Sequence, residues 1–348
     1  MSTAGSSNPE YVNARVRARR SALFADEDYR KLVRMSTAEI ARFMEESAYE
    51  EEINALGARH SGVDLLEYAL NRNLAKQFED ILGWANGRLY DLIARYLRKF
   101  DAWNVKTVIR GIYSDASREE IESDLIRAGE FDDRLVSRLL DAGSIEEAVD
   151  VLDRTMFGDA LADAYGEYES SGVLVPLETA VDRVFYENLL SGVTWDETTQ
   201  QYRDLLKAEV DFRNARNALR LARSGADVDP GEYYIAGGRL FGRAELSSLA
   251  TNLDELVQRI RDSTYGDELS DALDDLEEAA SLIAFERALE TALLEYSSSL
   301  GNVFPLSVSP VISYILAKER EVDNIRAIAR AREAGLSPEQ IEEELVIL

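Results

Sequence analysis

Residues 101–110 read Asp-Ala-Trp-Asn-Val-Lys-Thr-Val-Ile-Arg, and the pattern of this stretch returns twice further along the chain. Residues 211–220 read Asp-Phe-Arg-Asn-Ala-Arg-Asn-Ala-Leu-Arg, and residues 321–330 read Glu-Val-Asp-Asn-Ile-Arg-Ala-Ile-Ala-Arg. The three copies share an acid, an asparagine, a base and a final arginine, and each begins 110 residues after the previous one. A repeat of this length is too long for a solenoid unit and long enough for a small domain.

Within each copy the apolar residues recur at the spacing of an α-helix. In the first copy, Val105, Val108, Ile109 and Ile112 stand at i, i+3, i+4 and i+7, on one face of a helix. The corresponding apolar residues of the other two copies are Ala215, Ala218, Leu219, Ala222, Ile325, Ile328 and Ala329. The chain has only 6 prolines, and no run that favours a strand is longer than the short Val173–Val175 segment. The sequence therefore predicts an all-α fold.

Other short patterns return in the same order with a similar period. They are Leu66-Glu67, Leu177-Glu178 and Leu289-Glu290; Tyr49, Phe157-Gly158 and Tyr265-Gly266; and Ala128-Gly129 with Ala236-Gly237. We therefore predict three homologous helical repeat domains at residues 11–127, 128–235 and 236–348, after a flexible N-terminal tail at residues 1–10. Three like domains in one chain favour a pseudo-threefold assembly, and a linear array stays open as the alternative.

The composition excludes several classes of function. The formal net charge is −27, whereas nucleic-acid binding requires a basic surface, so we expect no nucleic-acid partner. The chain has no cysteine and a single histidine, His60, which excludes disulfides, thiolate ligands and histidine clusters for metals. No stretch approaches the roughly 20 apolar residues of a membrane-spanning helix, so any membrane association is expected to be peripheral.

The excess of acids also predicts a dependence on salt. Only six of the 39 basic residues are lysines, and an acidic, lysine-poor chain is typical of haloarchaeal cytoplasmic proteins. The Debye length grows from about 3 Å at 1 M salt to about 30 Å at 0.01 M, so repulsion between the carboxylates increases as salt is removed. We expect the helical circular dichroism signal and the melting temperature to fall over this range. Full helicity and an unchanged melting temperature at low salt would contradict the halophilic interpretation.

Sequence motifs of catalytic, nucleotide-binding or metal-binding sites are nearly absent. A phosphate-binding loop needs Gly-Lys followed by Ser or Thr, and none of the six lysines follows a glycine, so we expect no direct nucleotide binding, no cofactor and no catalytic residue. Asp274 and Asp275 resemble an aspartate-rich magnesium motif, and an all-α metal-dependent enzyme built on them is one alternative function. A solvated acidic helix face explains this pair better, because the chain contains 66 acids. We interpret Gly237-Gly238 as a tight turn between domains.

The repeated helix places its basic residues away from the apolar stripe. These bases are Lys106 and Arg110 in the first copy, Arg216 and Arg220 in the second, and Arg326 and Arg330 in the third; with the repeated Asn104, Asn214 and Asn324 they are the candidate partner-binding residues. The bases of each copy stand one turn apart and form a basic face in a strongly acidic chain. Two interpretations stay open: the bases pair with acids of this chain at domain seams, or they line a central socket that binds a partner. We expect Asp101, Asp211 and Glu321, near the apolar stripe, to pair with local arginine or asparagine.

Three stretches resemble a known family. They are residues 11–18 (Tyr-Val-Asn-Ala-Arg-Val-Arg-Ala), residues 99–106 (Lys-Phe-Asp-Ala-Trp-Asn-Val-Lys) and residues 324–330 (Asn-Ile-Arg-Ala-Ile-Ala-Arg). Together with the triple repeat, they resemble the C subunits of archaeal A-type ATP synthases, a family related to the d subunits of V-ATPases. The resemblance runs from about Tyr11 to Leu348.

The resemblance implies a funnel of three helical domains, seated on the membrane rotor ring, whose socket receives the central shaft subunits. It implies a non-catalytic role in ATP synthesis and ion transport. It also implies a peripheral position at the cytoplasmic face of the cell membrane, with the membrane contacted only through the ring. A helical scaffold for other partners is a further alternative, which would give an elongated superhelix.

Overall fold

The computed structural model describes residues 7–191, 196, 199–224, 230–249, 252–267, 270, 273–274 and 282–342. Over these residues the regular elements are helices and none is a strand, which confirms the predicted all-α class. Val173 stays outside regular structure, and a helix begins at Val175. Among the described helices, none combines the length and the apolar character needed to cross a bilayer.

The chain forms two compact units, residues 1–158 with 304–348, and residues 159–303. The helices of the first unit are Pro9–Arg20, Asp26–Leu32, Thr37–Glu45, Glu50–Leu56, Gly62–Trp84, Gly87–Leu97, Lys99–Tyr113, Arg118–Asp124, Asp133–Leu140, Ile145–Leu152, Ser309–Glu333 and Pro338–Glu342. Those that belong mainly to the second unit are Gly158–Ser171, Val175–Ser191, Gln200–Ser224, the 3-10 turn Pro230–Tyr233, Arg243–Leu249, Leu253–Arg261 and Leu282–Val303. The division into three domains and their funnel arrangement stay predictions.

The three sequence copies lie on three of the longer helices. We call Lys99–Tyr113, Gln200–Ser224 and Ser309–Glu333 the first, second and third motif helices. The predicted apolar stripe is buried on all three helices. Each stripe side chain that the structure describes is at most 2 % exposed, except that of Ile112, which is half-buried. The sequence periodicity therefore identified the packed face of all three helices correctly.

In the first unit, helices from the beginning of the chain pack against a helix from its end. Its third motif helix packs against the helices Gly62–Trp84 and Pro9–Arg20. The Asn13 side chain donates to the carbonyl oxygens of Pro305 and Ser307, at 2.9 and 3.0 Å. Because the third motif helix buries residues on nearly every face, it is the central element of this unit rather than an amphipathic surface helix.

The second unit has its own core. Its motif helix packs against Leu282–Val303. Apolar side chains from both of these helices and from the helices and loops between them form one cluster, which includes Phe212, Leu219, Leu240, Leu256, Tyr265 and Leu289. A separate core is what allows residues 159–303 to form a compact unit of their own.

Helix starts are fixed by local hydrogen bonds. Ser36 and Ser117 are N-caps, and each accepts a bond from the backbone N–H three residues on. Glu39 and Glu120 bond back to the N–H of these serines at 2.8 and 2.7 Å, which completes a capping box at each helix. These caps satisfy N–H groups that have no partner inside the helix and set where the short helices begin.

Candidate functional site

The asparagine of each copy is buried and bonds to the protein itself. The Asn104 side chain donates to the carbonyl oxygen of Ile126 at 2.8 Å, and its Oδ1 accepts the Ile126 N–H at 2.9 Å. Asn214 brackets Ile235 in the same way, with the same two distances. The side chain of Asn324 bonds to Tyr29. The asparagines therefore hold non-helical backbone or a tyrosine against the motif helices, and their predicted part in partner binding stays a prediction.

The acid of each copy is buried as well. Asp101 accepts the backbone N–H groups of Glu130 and Phe131 at 2.8 and 3.1 Å. Asp211 accepts those of Arg239 and Leu240, both at 2.9 Å. We call each acid and asparagine with their partners a node. The three nodes are centred on Asp101 and Asn104, on Asp211 and Asn214, and on Glu321 and Asn324.

The third node contains a buried ion pair within its helix, and hydrogen bonds from Tyr49 and Phe24 connect this pair to the N-terminal region. Lys318, whose side chain is 1 % exposed, lies 2.7 Å from Glu321 and donates to the Tyr49 hydroxyl at 2.8 Å. Glu321 also accepts the Tyr49 O–H at 2.7 Å and the Phe24 N–H at 2.6 Å. Burial lowers the pKa of Lys318, while the adjacent Glu321 carboxylate acts in the opposite direction. Residues 24–49 thus complete the C-terminal copy of the repeat.

The hydrogen-bond partners of these acids differ from the predicted ones. Burial raises the pKa values of Asp101 and Asp211, although the positive charges of Arg98 and Arg239 act to lower them. Arginine or asparagine partners were expected, whereas the hydrogen bonds to Asp101, Asp211 and Glu321 come from backbone N–H groups, tyrosine hydroxyls and Lys318. Backbone donors carry no signature in the side-chain sequence. They also lie nearly 30 residues downstream in the first two nodes, and for Glu321 the Phe24 donor lies 297 residues upstream.

The pKa of Asp101 makes a prediction about stability. Burial raises this pKa to about 6 from the ordinary 3.8, although the two backbone donors act in the opposite direction. The folded chain therefore holds this proton more tightly than the unfolded chain does. The resulting stabilisation is fully present below pH 3.8 and is lost as the pH rises through about 6.

The variant Asp101→Asn removes this titration. The difference in free energy of unfolding, wild type minus Asp101→Asn, is expected to fall between pH 4 and about 6.5, by at most about 3 kcal/mol, and then to level off. Urea unfolding at constant high salt measures it at each pH. A difference that stays constant or grows with pH would show that the folded chain does not hold the Asp101 proton in this way.

Two glycines make room for the acids. A Cβ atom built on Gly129 would come within 3.0 Å of the Asp101 carboxylate, and one on Gly238 would come equally close to that of Asp211. The sequence comparison matched Gly129 with Gly237, which is one residue too early, because Gly238 is the residue that faces the acid. Gly237 adopts φ +117°, as expected for a tight turn.

The sequence analysis did not predict a repeated turn that a side-chain hydroxyl stabilises. Ser47, Thr155 and Ser263 each accept the backbone N–H of the residue two positions on, at 3.3, 3.2 and 3.1 Å. Each hydroxyl also donates to the carbonyl oxygen three residues before it, at 2.6–2.7 Å. The residue presented after each turn is Tyr49, Phe157 or Tyr265. The sequence signal was a serine or threonine two residues before the repeated aromatic.

The predicted basic residues of the second and third copies face acids of the same chain. Arg220 forms two bonds of 2.5 Å with Glu286, and Arg216 lies 3.6 Å from Glu290. Arg330 pairs with Glu67, whereas Arg326 lies 3.1 Å from Asp323 on its own helix and also donates to the Asn71 side chain at 2.6 Å. Glu67 and Glu290 belong to the repeated Leu-Glu pairs. This is the arrangement that the seam interpretation predicts.

The bases of each copy differ in exposure. Lys106 is buried and Arg110 is exposed in the first copy. The Arg220 and Arg330 side chains are 56 % and 54 % exposed despite their ion pairs. The pKa of Arg216 is lowered to about 10, chiefly by the neighbouring Arg213 guanidinium and then by burial. The last arginine of each copy is therefore the base that remains accessible to a partner, and the socket stays a prediction.

The structure describes one residue of the aspartate pair on which a metal-dependent enzyme would be built. Asp274 pairs with Arg261 at 2.9 Å, and Asp275 lies outside the described residues. In the part of the chain that the structure describes, no three histidine, aspartate or glutamate side chains are grouped so that they could hold a metal ion. His60, the single histidine, packs its ring against Tyr68, with ring centroids 4.4 Å apart.

Comparison with known proteins extends over nearly the whole chain. The family described as ATP synthase (C/AC39) subunit matches residues 12–344. A protein of Haloferax volcanii, named as the C subunit of an A-type ATP synthase, is 76 % identical over 348 residues, covering 100 % of both chains. Proteins with the same name from Halobacterium salinarum and Methanosarcina mazei are 57 % and 34 % identical, covering 100 % and 99 % of this chain and 100 % and 94 % of their own.

Proposed function

Because the chain belongs to the ATP synthase (C/AC39) subunit family, we propose that it is the non-catalytic central-stalk connector of a rotary A-type ATP synthase. In this role it couples the shaft subunits to the membrane rotor ring. The observation that carries the proposal is the match over residues 12–344, with relatives named as A-type ATP synthase C subunits that align over nearly their full length.

The repeated polar residues support a mechanical role. The acids and asparagines of the three nodes are buried and bond to the protein's own backbone and side chains. Buried, satisfied polar groups fix one packing arrangement of the helices that they join. A connector that transmits torque needs such rigidity, and it needs no reacting groups. We place it peripherally, at the cytoplasmic face of the membrane, with the ring between it and the lipid.

Co-purification from membranes tests this function. A tagged chain is expressed in a haloarchaeal host, and membranes are solubilised in detergent at high salt. We expect the shaft and ring subunits of the ATP synthase to be recovered with it. A chain recovered alone, or with an unrelated set of proteins, would contradict the proposed role and would favour the scaffold alternative.

The accessible arginines are our proposed contact with the shaft. Arg110, Arg220 and Arg330 occupy the same position in the three copies and are exposed. The planar guanidinium group binds a carboxylate or the carbonyl end of a helix at fixed geometry. Ion pairs such as Arg220 with Glu286 support this by holding the guanidinium in place before a partner arrives.

Changing each of these arginines singly to glutamate distinguishes between the two interpretations, a socket that binds the shaft and ion pairs at domain seams within this chain. If they contact the shaft, each change lowers shaft affinity at least tenfold. The melting temperature changes little, since an exposed pair contributes only about 0–1 kcal/mol. Arg118→Glu is the matched control, because Arg118 is also partly exposed and pairs with Asp141 but lies outside the motif helices. Loss of the fold with normal shaft binding by the remaining folded protein would assign these arginines to seams.

A further inference from the structure

The first node lacks a hydrogen-bond donor that the other two nodes possess. Tyr265 donates its hydroxyl to Asp211 at 3.0 Å, and Tyr49 donates to Glu321 at 2.7 Å. The residue at the same place in the first node is Phe157, which has no hydroxyl. Asp101 therefore keeps its two backbone donors and has no tyrosine.

The equivalence of Phe157 with the two tyrosines rests on geometry as well as on sequence. All three aromatic residues follow the same hydroxyl turn, with matching hydrogen bonds before them. All three are buried, with exposed fractions of 0 % for Tyr49 and Phe157 and 7 % for Tyr265. The turn before the aromatic residue and its burial are thus the same in all three nodes, and the first node lacks the hydroxyl oxygen.

A pocket of about 390 Å³ lies beside this node. Its walls are Arg98, Asp101, Glu130, Phe131, Asp132, Leu135, Thr155 and Met156. Three carboxylates and one guanidinium group give the lining a net negative charge, and Arg98 is already paired with Glu130 at 2.9 Å. Phe131, Leu135 and Met156 add an apolar wall. A carboxylate has room for about four hydrogen bonds, so the two backbone donors leave Asp101 able to accept more.

We propose that this pocket binds a lysine or arginine side chain of a partner subunit, whose N–H groups supply the donor that Phe157 lacks. The negative lining favours a cation, and the apolar wall suits the methylene stem of a long basic side chain. The volume of about 390 Å³ gives room for the end of a long side chain. The identity of the partner as an ATP synthase subunit rests on the proposed function.

An introduced thiol reports whether the pocket is occupied. The chain has no cysteine, so Met156→Cys gives the protein one reactive side chain in the pocket wall. Its rate of reaction with an uncharged maleimide is measured in the free chain and in the complex recovered from membranes, by mass spectrometry of the peptide. We expect at least tenfold slower reaction in the complex. Equal rates would overturn the proposal.

Two further variants separate a basic side chain from other occupants. Phe157→Tyr supplies the missing hydroxyl internally, so it is expected to raise the melting temperature of the free chain and to weaken recovery of the partner. Asp132→Asn removes one negative charge while keeping a good N-cap for the helix Asp133–Leu140, and it is also expected to weaken recovery. Unchanged recovery with both variants would indicate that water alone occupies the pocket.

Thiol protection and the identity of the recovered proteins test the pocket proposal and the proposed function separately. Protection of the introduced thiol by proteins other than ATP synthase subunits would support the pocket and contradict the central-stalk role. Recovery of the ATP synthase subunits without protection would support the role and overturn the pocket. If no recovered protein protects the thiol, the pocket proposal is wrong whichever proteins are present.

Discussion

Replacing Glu321 with glutamine should lower the free energy of unfolding of the unit that contains both chain ends by about 3–5 kcal/mol. The change keeps the size of the side chain and removes its charge. It leaves the ammonium group of Lys318, 1 % exposed, without its counter-charge. Removing one partner of a buried ion pair is costly because the remaining charge is neither solvated nor paired. Urea unfolding at high salt, followed by circular dichroism, measures the loss.

The double variant Lys318→Met/Glu321→Gln is the control for this result. It removes both charges, and glutamine still accepts hydrogen bonds from the Phe24 N–H or the Tyr49 hydroxyl. Because a buried pair can be replaced by neutral residues at little cost, we expect the double variant to recover most of the lost stability. If it is as unstable as Glu321→Gln alone, the contacts of the Glu321 side chain, rather than its charge, determine the stability of this unit.

Replacing either node glycine with alanine should cost about 4 kcal/mol. The new methyl group of Gly129→Ala or Gly238→Ala would lie within 3.0 Å of a buried carboxylate, which must then move away from its backbone donors. Over-packing contributes about 1–3 kcal/mol, and the loss of hydrogen bonds to the buried acid contributes a similar amount. Melting temperature and urea midpoint at high salt are the measurements.

Gly166→Ala is the matched control for the glycine variants. Gly166 lies within the helix Gly158–Ser171, and a Cβ atom there meets no other atom within 4 Å. Alanine at such a position is expected to stabilise the helix by about 0.5–1 kcal/mol. If Gly129→Ala and Gly238→Ala behave like Gly166→Ala, the acids tolerate displacement and the nodes are not the close-packed points described above.

The sequence predicted the motif helices because their signal is local. The apolar stripe of Val105, Val108 and Ile109 has helical spacing, and all three side chains are almost completely buried. Repetition at a constant interval strengthened this signal, and the same repetition located the buried acids and asparagines. The all-α class followed from these patterns together with the scarcity of proline and of strand-forming runs.

The partners of the repeated residues were not predictable in the same way. Asn104 and Asn214 each bond to backbone N–H and C=O groups, which every residue type but proline offers, so no residue type marks the contact. The third node was harder to predict, because two of the partners of Glu321, Phe24 and Tyr49, lie near the opposite end of the chain. The match of Gly129 with Gly237 was one residue off because the dipeptide Ala-Gly selects Gly237, whereas the packing shows that Gly238 faces the acid.

The contact between Phe24 and Glu321 also has a consequence for biosynthesis. Its two residues are 297 positions apart, so a ribosome that adds about 5–20 residues per second completes the second residue roughly 15–60 s after the first. During this interval residues 24–49 of the nascent chain lack the helix on which they pack. Residues 159–303, which form their own compact unit, are synthesised before Glu321 and leave the ribosome ahead of it, so they are free to fold first. Residues 24–49 are thus synthesised long before the helix that completes their packing.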